Sequence, residues 1–129
     1  MSLRHEFLLC DLPEDPDFWT IEQFYINNRE KSVYVRDKTM TKYIHIFSNI
    51  KTYWGNHGFS VDNNHKDSGV RKQTNTGLNY YGLSYIPYTE IPSFLNCISN
   101  PFQKAQLYKV IKLCEEALKN HMGILYCGI

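Results

Sequence analysis

Two histidines, two aspartates and an arginine, His57, Asp62, His65, Asp67 and Arg71, crowd a polar, glycine-dotted stretch beside the aromatics Trp54, Phe59, Tyr80 and Tyr81. Imidazoles next to carboxylates are the raw material of a metal site or of a general acid–base pair. Their spacing matches neither template. No H-E-x-x-H run puts two imidazoles on one helix face, and an EF-hand loop begun at Asp62 fails at Lys66, where an oxygen ligand is required, and at Asp67, where the turn requires glycine. Gly55 and Gly58 lack the continuation of a phosphate-binding loop. The expectation is no metal and no cofactor.

Nucleophilic catalysis fares similarly. Cys10, Cys127, Ser60 and Ser84 and the five histidines carry no signature that would bring a nucleophile, a base and an orienting acid together. Cys10, Cys114 and Cys127 stand in apolar surroundings, where a thiolate is disfavoured, so they read as inert core residues. Glu14, Asp15 and Asp17 sit among prolines in a turn, and Glu115 and Glu116 on the wet side of a helix, so neither group forms a carboxylate pair in a cleft. The leaning is against an enzyme.

Aromatic content points elsewhere. Ten Tyr, seven Phe and two Trp make up 15% of the chain, and Tyr80, Tyr81, Tyr85 and Tyr88 alternate too imperfectly for all to face a core. Tyr and Trp bury large areas with few rotors to freeze, which suits them to binding surfaces. Trp54, His57, His65, Arg71, Tyr80 and Tyr81 are therefore the candidate partner-binding residues, on the 55–77 loop and the aromatic strand after it. A loop of that length inside a compact domain is itself a functional signal.

The elements that must position these residues begin with four segments rich in aromatic and β-branched residues, at 6–12, 18–26, 32–37 and 42–48, read as strands of an N-terminal meander. Another strand is expected at 78–88, with Gly82 at a bulge or a close backbone approach. Ile91, Phe94, Leu95 and Ile98 then follow helical spacing after Thr89. The run "NPFQKAQLYKVIKLCEEALKNHMG" reads as one long helix, with Asn100 as N-cap, Pro101 at the first position, Gln103 completing a capping box, and Gly123 past the end. The apolar "GILYCGI" closes the chain as an internal strand. The fold class is α+β: a mainly antiparallel sheet of five to six strands, packed on one face by a short and a long helix, in a single domain over residues 1–129.

A net charge of +1 argues against a general nucleic-acid binder, and no apolar run reaches the roughly 18 residues of a membrane span. Four scattered cysteines and no recognisable signal peptide suggest a reducing, cytoplasmic setting. The expected function is non-catalytic binding of a protein partner. A bacterial toxin-neutralising immunity protein would have this size and architecture, by analogy of fold and not by a match of residues. The alternatives are a small enzyme or ligand binder using His57 or His65 over a pocket between sheet and helices, and a homodimer formed through a sheet edge.

Overall fold

In a computed structural model, which describes residues 3–13, 16–55 and 73–129, the described strands form one antiparallel sheet. The strands are β1 (Arg4–Cys10), β2 (Val33–Arg36), β3 (Lys51–Gly55), β4 (Gln73–Thr76), β5 (Leu83–Ile86) and β6 (Gly123–Cys127). Their order is β2-β1-β6-β5-β3-β4, so the last strand of the chain lies inside the sheet, between β1 and β5. The burial of every residue of β6 follows from that position.

Alternation along the strands divides the core in two. One face carries Phe7, Val35, Ile86, Ile124 and Tyr126. Against it pack α3 (Ile91–Asn96) and α5 (Tyr108–Asn120), the expected short and long helices, joined by α2 (Asp37–Tyr43). Phe47 and Phe94 stack within this layer at 4.2 Å between ring centroids. The other face carries Leu8, Cys10, Leu83, Tyr85, Leu125 and Cys127, and is covered by Ile21 and Tyr25 of α1 (Phe18–Asn28).

The α+β class is as expected, but helices cover both faces of the sheet, not one, because α1 packs on the face opposite α3 and α5, and several elements differ from the sequence reading. Residues 18–26 form helix, not strand. Asp17 caps it, its carboxylate accepting the Thr20 N–H at 2.7 Å, and packing of Ile21 and Tyr25 on the sheet outweighs the β propensity of the segment. Residues 42–48 are likewise not a strand: α2 continues into a 3₁₀ turn over Ile44–Phe47, burying Met40, Tyr43 and Phe47 at spacings of three and four. Of the expected 55–77 loop, Gly55 belongs to β3 and Gln73–Thr76 pairs with β3 as an edge strand, while 56–72 lie outside the described residues.

The helix expected to run unbroken from Asn100 has its capping box of Asn100 and Gln103 but is interrupted at Leu107 (φ −108°, ψ 24°), which separates α4 (Pro101–Gln106) from α5. Its end is also set differently. His121, not Gly123, takes the left-handed cap (φ 57°), and Gly123 opens β6, where a Cβ would come within 2.5 Å of the Ile86 carbonyl oxygen. Among the described residues no helix is long and apolar enough to cross a membrane.

Candidate binding site

Reading β1 against β2 and β6 puts His5 opposite Val35 and on the same face as Phe7, so an imidazole points into the apolar layer. It is fully buried, and a buried imidazole must find partners for both nitrogens. Its Nδ1 lies 2.6 Å from the Tyr126 hydroxyl and its Nε2 2.8 Å from Asp37 Oδ1. The same carboxylate oxygen accepts the Tyr80 hydroxyl. With Nε2 protonated, Tyr126 donates to Nδ1, His5 donates to Asp37, and Tyr80 donates to Asp37, leaving no donor in conflict.

This chain joins four segments remote in sequence: β1, the first residue of α2, the turn before β5, and β6. Hydrogen bonds from His5, and secondarily from Tyr80, hold the Asp37 carboxyl below its usual range. The reciprocal bond to Asp37, followed by burial, pushes the Tyr80 phenol up to about 12. Tyr126 is pushed up chiefly by burial.

The signs give a stability profile. A depressed carboxyl stabilises the fold above the ordinary carboxylate range, and that contribution disappears as pH falls through the lowered value. A raised phenol stabilises it below the ordinary 10.0, and its contribution is lost as pH climbs toward about 12. Urea midpoints measured across pH should therefore fall at both ends, with Asp37→Asn flattening the acid limb and Tyr80→Phe reducing the alkaline one.

Tyr80 is thus an anchor, its ring centroid 5.0 Å from that of His5, while the adjoining Tyr81 is 74% exposed. The two rings meet edge to face at 4.8 Å. The backbone beneath them is held from several directions. Asn79 N–H donates to Ser84 Oγ at 2.7 Å, Tyr81 N–H to Asn79 Oδ1 at 3.2 Å and Gly82 N–H to Asn79 O at 3.1 Å. The end of the chain crosses the turn, Gly128 N–H donating to Gly82 O at 2.8 Å and Ile129 N–H to Tyr80 O at 2.9 Å. The close backbone approach expected at Gly82 is this crossing.

Trp54 stands on β3 opposite Ser84, partly buried, its indole N–H shared between Thr52 Oγ1 at 2.9 Å and Gly77 O at 3.1 Å. Trp54 thus stands on β3, the neighbour of β5, whereas Tyr80 and Tyr81 lie in the turn ahead of β5 and not on the strand expected over 78–88, which is confined to Leu83–Ile86. His57, His65 and Arg71 lie outside the described residues, as do Asp62 and Asp67. His5, Asp37 and Tyr126 went unnoticed in the sequence. The available signal was the two-residue spacing of His5 from Phe7, which puts a titratable ring on a core face.

The arrangement resembles a catalytic relay only in composition. Both nitrogens of His5 are used internally, and Tyr126, at the position a nucleophile would take, is completely buried. The cysteines are free, and burial raises all four thiols, that of Cys127 to about 11 and that of Cys114 to about 12, so they stay protonated near neutrality. Among the described residues no group of three or more His, Cys, Asp or Glu is arranged to hold a metal ion. What the network does physically is fix the turn that presents Tyr81. Comparison with protein-family models, curated proteins and solved structures returns no match for this chain.

Proposed function

We propose that the chain is a non-catalytic binding protein that engages a protein partner through the 79–82 turn, with Tyr81 as the central contact and Trp54, on β3, as a further one. The observation that supports this is a bare tyrosine on a turn immobilised by the core. Rigidity of that kind lowers the entropy lost on association, and an exposed aromatic on a rigid base is the usual form of a binding hot spot. A toxin-neutralising role, in which this surface occludes a bacterial toxin, is one form such binding would take.

The test is a photo-crosslinking amino acid in place of Tyr81, expressed in the source cell, with a control at exposed Glu116 on α5. A discrete protein adduct from position 81 alone is expected. Tyr81→Ala should leave thermal stability within about 0.5 kcal/mol yet weaken capture of the identified partner by about tenfold or more. Equal capture by the variant, or identical adducts from both positions, would defeat the proposal.

A further inference from the structure

The interruption of the helix at Leu107 has a counterpart at the surface. Where α4 gives way to α5, a groove of about 390 Å³ opens against β2, lined by Tyr34, Val35 and Arg36 of the strand and by Tyr108 and Lys109 of the helix. Its volume lies within the range of roughly 300–1,000 Å³ typical of ligand sites. We infer that this groove receives an acidic, extended segment of the partner protein, added as a strand along the free edge of β2. The inference deepens the binding role proposed above and rests on it.

Charge selects the occupant. Arg36 and Lys109 are the charged residues among those described in the lining, and both are cationic. The aromatic walls carry two more cations, the Arg4 guanidinium 4.3 Å from the Tyr34 ring centroid and the Lys112 ammonium 5.7 Å from that of Tyr108. Among the described residues none of these four is in a salt bridge. Asp37, next in sequence to Arg36, is committed to His5 and Tyr80. Glu115 and Glu116 lie two helical turns from Tyr108 and Lys109, roughly 10 Å along α5. Unpaired cations between aromatic walls favour carboxylates interleaved with apolar side chains.

Backbone geometry selects an extended chain. Among the described residues β2 is the terminal strand of the sheet and pairs with β1 alone, and no backbone hydrogen bond joins its outer edge to another described segment. That edge offers alternating donors and acceptors at peptide spacing, the requirement for strand addition. A second copy fits poorly, since pairing β2 with its own twin across a twofold axis would gather two sets of the same cations, while Glu6, opposite Tyr34 on β1, is already engaged by Tyr25, Ser32 and Arg29. A nucleic acid also fits poorly, because a phosphate chain cannot use the edge carbonyls and the net charge is only +1.

The experiment is selection of a display library of random short peptides on the full chain, followed by mapping of the best binder by amide chemical shifts. Enrichment of Asp and Glu alternating with apolar residues is expected, with shifts at Val33–Arg36, Tyr108 and Lys109. Affinity should drop about tenfold or more in Arg36→Glu/Lys109→Glu, and fall with salt. Peptides without acidic bias, peptides that map only to the 79–82 turn, or no selected peptide at all would overturn the inference while leaving the Tyr81 contact standing. So would a single-stranded DNA oligomer that outcompetes the peptide, or a dimer in sedimentation that the double variant abolishes. Acidic peptides bound in the groove together with a failed crosslink at position 81 would instead remove the Tyr81 contact and keep the groove.

Discussion

Gly128→Ala is expected to lower the unfolding temperature by about 5–15 °C and to free the Tyr80–Tyr81 turn at the same time, from a loss of about 2–4 kcal/mol. A Cβ at this position would overlap the carbonyl group of Tyr80 and lie 2.8 Å from the Asn79 carbonyl oxygen, whereas Cβ contacts under 3.0 Å essentially never occur. The obstructing atoms are backbone, so no side chain can rotate aside. Relief requires the chain end to move off the turn, breaking the bonds from Gly128 N–H to Gly82 O and from Ile129 N–H to Tyr80 O. Calorimetry reads the first effect, and amide exchange at Tyr80, Tyr81 and Gly82 reads the second. Partner capture should fall together with the order of the turn. An unfolding temperature within about 1 °C of the parent, with the turn amides still protected, would mean that the crossing does not hold the turn.

The dependence of the turn on residue 128 shows which parts of this fold local sequence can reveal. Strands β1, β2 and β6, the helical period of Ile91, Phe94, Leu95 and Ile98, and the Asn100–Gln103 capping box were readable because each is marked within a few residues. The N-terminal meander was not, for two different reasons. Phe18, Trp19, Thr20 and Ile21 favour strands, and only the Asp17 cap and contacts with Leu8, Leu83 and Leu125 across the sheet make them helix. In 37–47 the helical period of Met40, Tyr43 and Phe47 competes with the strand-like alternation of Ile44 and Ile46, and only the packing of the three buried residues decides between them. β4, with the sequence QTNT, has no apolar face to reveal it.

The site was harder still. β1 begins at Arg4, ahead of the apolar run that marks it, so His5 lies outside the legible part of the strand that buries it, and its partners Tyr126 and Asp37 are 121 and 32 residues away. Such pairings are decided by sheet order, which adjacent residues do not encode. Tyr80 and Tyr81 were singled out together, but the division of labour between them, one ring anchored on Asp37 and the other exposed, required the third dimension. Glu22 illustrates the converse. It is 7% exposed, burial raises its carboxyl, and its Oε2 has no partner among the described residues, which nothing in the local sequence marks.

His5→Ala carries the other large effect, an expected loss of about 3–5 kcal/mol, since it creates a cavity beneath the sheet and strips the buried Tyr126 hydroxyl of its partner. Against a typical stability of about 5–15 kcal/mol, this leaves a marginal protein. Tyr126→Phe should cost about 1–3 kcal/mol by orphaning Nδ1 of a ring that stays buried. Combining Tyr126→Phe with His5→Leu removes both polar groups of that pair and restores volume, so the double variant should be more stable than the sum of its single losses by about 0.5–3 kcal/mol. The cycle, whose single variants are Tyr126→Phe and His5→Leu, measures how strongly the two side chains are coupled, because independent side chains would give additive losses. It also separates stability from function. Asp37 in the double variant keeps Tyr80 but has lost its bond to His5, so the 79–82 turn should bind its partner more weakly than in the parent even where unfolding free energy has recovered. Strict additivity of the losses in denaturant titrations would refute the network as a coupled unit.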